Sequence, residues 1–440
     1  MKEEIIQNLE RLVRYPSIYA EEENTPFGIQ NKKCLEEALK IGDSYGLKTK
    51  NLDDYCGYIE VGEGKEIIGI LCHLDVVPEG SGWNTNPFQL TEIDGKLYGR
   101  GVSDDKGAVS AMLLVMKLLK NERIPNNKKV RLILGCNEES GSKDMEYYKK
   151  VEGDIHVGFT PDATFPGIHG EKGRILISFQ TSHTNVIDIT GGTSDNAVPD
   201  YVKITILNHS YDASLLTSYL EEQHLNYHIT KQDEMDQIEV FGTSAHASTP
   251  EKGRNAISYL MYALEVAHFH DPFVQQYNQY IGLSYDGIGL GINEKDPYGI
   301  LTCNQGVIKK ENDQMIGTLD IRVPVTCHIE DIIQKINKLH IKDWKFEILD
   351  QDESLYYELE DPLVQSLWKA YQKVTGDTKS IPVTTGGGTY AKSMNNCIAF
   401  GCAFPGVDNH IHQANEFVSV EELLKQVKIY YQAIINLLEQ

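Results

Sequence analysis

The stretch Ile67-Ile68-Gly69-Ile70-Leu71-Cys72-His73-Leu74-Asp75 decides the fold. Its uncharged run is short enough to be a strand buried on both faces, as in parallel sheets. Beyond it lies Gly107-Ala108-Val109-Ser110-Ala111-Met112-Leu113-Leu114-Val115-Met116-Lys117-Leu118-Leu119, long and rich in helix formers. A second apolar run follows, Val130-Arg131-Leu132-Ile133-Leu134, and a third, Ile155-His156-Val157-Gly158-Phe159. Strand, helix and strand in that order make a right-handed crossover between parallel neighbours. Upstream, Ile5, Ile6, Leu9, Leu12 and Val13 form one helical stripe that stops at Tyr15-Pro16, and a second helix is predicted over about 31–45. The reading is an α/β domain on a mainly parallel sheet.

The texture changes near Lys172. Ile175 to Phe179 and Tyr201 to Leu207 alternate as half-buried strands, helices are predicted over 213–225 and 255–268, and Met315 to Val323 is a later strand. This is α+β. A further change at Ile381-Pro382-Val383-Thr384-Thr385-Gly386-Gly387-Gly388 precedes a strand at 397–401 and a closing helix over 420–438. Residues 1–171 and 381–440 are therefore expected to form one domain, with 172–380 inserted as a second.

At 440 residues, with 41% apolar and 24% charged, the chain has material for two or three folded domains and lacks the composition of a disordered one. A formal charge of −23 repels phosphate backbones and anionic lipids, so neither nucleic acid nor a membrane is expected as a partner. Met1-Lys2-Glu3-Glu4 carries acids where a secretory signal needs bases, and no run approaches a membrane span, which gives a cytoplasmic expectation. Eight cysteines without a C-x-x-C pair read as reduced thiols.

The chemistry-bearing residues gather at strand ends, where open α/β sheets bind ligands. His73-Leu74-Asp75 follows the first strand, and the two-residue spacing puts imidazole and carboxylate on one side of the chain, so that Asp75 can orient a ligating His73. Ser103-Asp104-Asp105-Lys106-Gly107 precedes the crossover helix, Asn137-Glu138-Glu139-Ser140-Gly141 follows the Val130 strand, and Thr160-Pro161-Asp162 follows the Ile155 strand. Each alone reads equally as a cap, a turn or a structural pair. Together they deliver carboxylate or imidazole to one sheet edge in successive connections, which packing does not demand. Such donors suit zinc, manganese or cobalt. There are more carboxylates than one tetrahedral ion needs, favouring two ions that share a bridging carboxylate. His412 can supply a further ligand, with His410 its rival.

These segments, namely His73-Leu74-Asp75-Val76-Val77-Pro78, Gly99-Arg100-Gly101 to Gly107, Asn137 to Gly141, Thr160 to Pro166 and His412-Gln413-Ala414-Asn415-Glu416, resemble the M20 metallopeptidase family, in particular its PepV-like dipeptidase branch. The resemblance spans nearly the whole chain. It implies that His73 and Asp162 hold one metal and Glu139 and His412 the other, that Asp104 bridges them ahead of a cis bond to Asp105, and that Glu138 is the general base. Zinc leads as the metal, with manganese and cobalt open. In the second domain, Gly242-Thr243-Ser244-Ala245-His246-Ala247-Ser248 is similar to the family's A-H-A-S segment, whose His reaches the substrate carbonyl. Asn196 resembles a lid Asn that contacts substrate, and Arg322 stands where an Arg binds the substrate's terminal carboxylate, a bidentate task suited to guanidinium. Gly386-Gly387-Gly388-Thr389-Tyr390 resembles the G-G-G-T-Y-A loop, with Gly387, Gly388 and Thr389 at that carboxylate. The Lys and helix pattern of a phosphate loop are absent. Cys136 departs from the small or hydroxyl residue of relatives.

The resemblance further implies a catalytic domain and a lid built on a β-α-β-β-α-β (ferredoxin-like) pattern, doubled and replacing dimer contacts, so a monomer is favoured. The expected reaction is hydrolysis of dipeptides with a free N-terminus and a free C-terminal carboxylate. Two alternatives remain: a deacylase of N-acyl amino acids such as N-succinyl-diaminopimelate, and a peptide-binding protein without catalysis.

Overall fold

Two helices lead the chain, α1 (Lys2–Val13) and α2 (Ile29–Ser44). α1 buries Ile5, Leu9, Leu12 and Val13 of the expected stripe and leaves Ile6 half-buried. Then come β1 (Lys48–Leu52), β2 (Cys56–Gly62), β3 (Glu66–His73), α3 (Lys106–Leu119), β4 (Lys128–Gly135), α4 (Lys143–Glu152), β5 (Val157–Thr160) and β6 (Ile168–Glu171). Their sheet runs β1-β2-β4-β3-β5, then a strand at Cys397–Ala399, then β6. β3 pairs in parallel with β4 on one side and β5 on the other, and Cys397–Ala399 continues parallel to β5. β1, β2 and β6 add antiparallel margins. α3 is buried without a break from Lys106 to Met116, which explains why its sequence shows no polar face. The chain passes from β3 to β4 on one side and then crosses to β5 on the other. The topology thus reverses at the C-terminal end of β3, beside His73.

The computed structural model describes residues 1–440 and divides into two units, 1–170 with 357–440, and 171–356. The second unit comprises β7 (Gly173–Thr181), β8 (Asp188–Gly191), β9 (Tyr201–Leu207), α5 (Ala213–Glu222), β10 (Asn226–Gln232), β11 (Met235–Phe241), α6 (Ala256–Val266), α7 (Pro272–Tyr280), β12 (Thr302–Glu311), β13 (Gln314–Val323), α8 (Ile329–Asn337) and β14 (Lys345–Asp352). They form one sheet in the order β10-β11-β9-β8-β12-β13-β7-β14. Each half holds a strand-helix-strand passage with an antiparallel strand slotted between its ends: β9-α5-β10 around β11, and β13-α8-β14 around β7. The halves join where β8 meets β12 in two residue pairs, Thr190 with Lys309 and Gly191 with Ile308. The doubled module is therefore one continuous antiparallel sheet. Burial alternates along β9 and β11, with Val202, Ile204, Ile206, Ile238 and Val240 inward, so a single face is covered.

The chain re-enters the first unit at Tyr357, so the boundary expected at 380/381 falls too late. The reason is α9 (Pro362–Thr375), whose buried face of Leu363, Val364, Leu367, Ala370 and Tyr371 belongs to the first unit. Tyr371 stacks on Phe165 at 5.5 Å, and the Ser366 carbonyl accepts from Asn436 Nδ2 at 2.8 Å. The last helix, α10 (Val420–Leu438), starts from a capping box between Ser419 and Glu422. All eight cysteines are unpaired, seven of them buried, and no helix is long and apolar enough to cross a membrane.

Candidate metal centre and active site

His73 ends β3, and its Nε2 lies 2.9 Å from Asp104 Oδ1 and 3.7 Å from Asp162 Oδ2. The other oxygen of Asp104, Oδ2, is met at 2.9 Å by His412 Nε2, which also approaches Glu139 Oε1 at 3.1 Å. One aspartate therefore stands between two imidazoles and offers an oxygen to each. Donor atoms of His73, Asp104 and Glu139 lie within 4.8 Å of one another, as do those of His73, Glu138 and Asp162. The loops after β3, β4 and β5, the loop before α3 and the loop before α10 each contribute. The Asp104–Asp105 peptide is cis. His410 is turned elsewhere, its ring edge-on to Phe417 at 5.7 Å.

Asp75 does more than face the imidazole. Its backbone carbonyl lies 3.0 Å from His73 Nδ1 and its carboxylate 3.5 Å away. The same carboxylate accepts the N–H groups of Glu138 and Glu139, one on each oxygen, both at 3.1 Å. It fixes the turn that carries both glutamates.

The electrostatics are those of a cation site. Burial, reinforced by Asp162, pushes Glu138 far above the usual carboxylate range, and burial with Asp104 nearby takes Asp162 up to about 8. Burial and Asp104 likewise raise Glu139. Asp104 moves the other way: although burial opposes it, hydrogen bonds from His412 and His73 hold it far below its ordinary value. Burial works against protonating His412, yet its bonds to Asp104 and Glu139 raise it to about 11. Four clustered carboxylates and two imidazoles call for added positive charge. Oxygen and nitrogen donors with no thiolate in the set fit hard or borderline divalent ions.

Two supporting carboxylates were not singled out from the sequence. Glu416, 1% exposed, accepts from Ser103 N at 2.8 Å and Asp104 N at 3.2 Å on one oxygen, and from Gly101 N at 3.0 Å and Arg100 Nη1 at 2.7 Å on the other. It braces the loop of Asp104 from the segment that carries His412. Its place within the His412-to-Glu416 motif was the available signal. Asp144 accepts from the N–H groups of Cys136 and Asn137 at 2.6 and 2.8 Å and from the Tyr390 hydroxyl. No local pattern marks it.

The remaining candidates divide between the units. Thr389 caps the short turn Tyr390–Ser393 by accepting from Ala391 N at 3.1 Å, and Gly387 N donates to Thr385 Oγ1 at 3.3 Å, with Gly388 between them. In the second unit Ala197 bridges His246, Ala247 N donates to Asn196 O at 2.9 Å, and Val198 N donates to Ala245 O at 2.8 Å. Asn196 and His246 therefore share one paired segment, anchored to β12 by Asn304 Nδ2 on Ala197 O at 2.9 Å. The His246 ring is exposed and sits 2.7 Å from Ser248 Oγ. Arg322 grips the buried Asp320 through Nε at 2.6 Å and Nη2 at 3.0 Å, while Arg174 Nε reaches the same carboxylate at 3.0 Å.

The sequence pattern of peptidase family M20/M25/M40 matches residues 69–436. YtjP of Bacillus subtilis strain 168, a protein carrying a provisional dipeptidase name, is 33% identical over 99% of this chain and 97% of its own. Among solved structures, human carnosine dipeptidase 1 superposes with a TM-score of 0.59 at 15% identity, covering 100% of this chain and 97% of that one. A tripeptidase of Staphylococcus aureus does so with a TM-score of 0.59 at 16% identity, covering 100% and 99%. At such identities these structures speak for the fold alone.

Proposed function

This chain belongs to peptidase family M20/M25/M40 and is a metallopeptidase, and from that premise we propose that it is a dipeptidase for substrates with a free N-terminus and a free C-terminal carboxylate. The observation that carries the reading is Asp104 placed between His73 and His412 with Glu138 beside the set. We assign His73 and Asp162 to one divalent ion, Glu139 and His412 to a second, and Asp104 to both. Zinc is the proposed metal, with manganese and cobalt as alternatives. Bound there, such ions supply Lewis acidity toward a peptide carbonyl and acidify water.

The protein's own groups do the rest. Glu138 takes a proton from the attacking water and returns it to the leaving amine. Asp75 keeps Glu138 in place through the backbone N–H that it accepts. His246 donates to the oxygen that becomes negative as water adds. Asn196 contacts the substrate, and Arg322 with Gly387, Gly388 and Thr389 reads its terminal carboxylate. A guanidinium and small residues that bare backbone N–H groups both favour an anion.

The test is turnover of metal-stripped protein reloaded with Zn²⁺, Mn²⁺ or Co²⁺ on a panel of dipeptides, amidated dipeptides, tripeptides and N-acyl amino acids. Free dipeptides should be cleaved, their amides poorly, and a chelator should abolish the activity. Cleavage of N-acyl amino acids alone would replace the reading with a deacylase. Binding of dipeptides without turnover under any metal would replace it with a binding protein.

A further inference from the structure

Gly135 ends β4, and a Cβ there would collide with both the Tyr390 hydroxyl and Asp144 Oδ2. A glycine at this point is what lets those two groups meet. Both are fully buried, and Tyr390 donates to the oxygen of Asp144 that also accepts the N–H groups of Cys136 and Asn137. The next two residues, Glu138 and Glu139, hang by their own N–H groups from Asp75. The turn 136–139 is therefore held by two carboxylates, and one of them is tied by a single phenol to the loop Gly386–Thr389. The Tyr390 ring also stands edge-on to His73, with centroids 6.3 Å apart at 89°.

We propose that Tyr390 is a positioning residue that couples the glycine loop to the turn bearing Glu138, through its hydrogen bond to Asp144. The inference rests on the dipeptidase reading for what the loop binds. A substrate whose carboxylate seats in the Gly386–Thr389 loop braces Tyr390, Tyr390 braces Asp144, and Asp144 sets the backbone from which Glu138 projects. A substrate lacking that carboxylate leaves the loop loose and the base less well placed. Selection for a free carboxylate then shows in the chemical step as well as in binding.

Tyr390→Phe removes one oxygen and keeps the ring against His73. Hydrogen exchange resolved by segment should quicken in both 136–139 and 386–391, with metal content unchanged. Because misplacement of a catalytic group by about 1 Å can cost 10²-fold, kcat on a free dipeptide should fall at least about tenfold. The ratio of kcat/KM for the free acid to that for its amide should shrink, which a merely structural loss would leave alone. Asp144→Asn should act in the same direction, and the double variant should be no worse than the more damaged single one. Wild-type exchange in 136–139 of Tyr390→Phe, or an unchanged acid-to-amide ratio in active enzyme, overturns the coupling. So does loss of metal at an unchanged ratio, which would route the effect through His73. If the wild-type protein cleaves no dipeptide yet Tyr390→Phe loosens both segments together, the coupling stands and the dipeptidase reading fails.

Discussion

Glu138 and Glu139 are neighbours on one turn, and both are raised by burial, yet they are assigned opposite tasks. Glu139 meets His412 at 3.1 Å and is proposed as a ligand. Glu138 is proposed as the base. Glu138→Gln keeps size but removes the basic oxygen, so turnover should fall by about 10² to 10⁴ while elemental analysis still finds two ions. Glu139→Gln should instead shed one ion, since an amide oxygen binds a divalent cation more weakly than a carboxylate. If Glu138→Gln is the variant that loses metal, the two roles are reversed. Glu416 gives a second prediction. It is the partner of the buried Arg100, and removing one charge of such a pair costs about 3 to 5 kcal/mol, so Glu416→Gln should lose that much stability to urea. The contrast with the sequence is instructive. His73 with Asp75, Asp104 with Asp105, and Glu138 with Glu139 were legible because each pair is local and follows or precedes an unmistakable apolar run. Glu416 and Asp144 act on backbone N–H groups, and Tyr390 reaches Asp144 from 246 residues away. Such partners are brought together by topology, which local spacing does not encode.

Among the elements, β3, α3 and β4 were legible because a buried strand, a buried helix and a parallel neighbour leave uninterrupted apolar runs. Residues 362–375, expected within the inserted domain, belong to the first unit as α9, and the local sequence does not say so. Its amphipathic stripe, Leu363, Val364, Leu367, Ala370 and Tyr371, states that one face is buried but not against which unit. The partner is α10, whose N-terminus directly follows Glu416, Phe417 and Val418. That start is held by the reciprocal bonds Glu422 N to Ser419 Oγ at 3.1 Å and Ser419 N to Glu422 Oε2 at 2.8 Å. Ser419→Ala removes the acceptor for one otherwise unpaired N–H and should cost about 1 kcal/mol in urea unfolding. Because the cap lies at the base of the strand that follows Glu416, a loss several-fold larger would show that the cap also maintains the Glu416 clamp. No loss at all would mean that tertiary packing alone fixes the helix start.

At the scale of the whole molecule, the second unit is an insertion whose two ends leave the first unit side by side. Tyr357 N donates to His169 O at 2.8 Å, and His169 Nδ1 lies 2.7 Å from Tyr357 O. Because residues 169 and 357 are hydrogen-bonded neighbours, a few glycines are enough to join residue 170 to residue 357, and loop-closure entropy over so short a linker is small. The shortened protein keeps every parallel strand of the first sheet, α9 and α10, and every assigned ligand: His73, Asp104, Glu139, Asp162 and His412 all lie within 1–170 or 357–440. It lacks Asn196, His246 and Arg322. The expected outcome is a cooperatively melting protein that binds two divalent ions by elemental analysis and hydrolyses no dipeptide, although Glu138 is present. Failure to bind metal in a folded protein would mean that the second unit helps to build the centre, against the ligand assignment. Turnover near that of the full chain would remove His246 from oxyanion stabilisation, since donors of that kind are typically worth about 10² to 10³ in rate and their loss does not pass unnoticed.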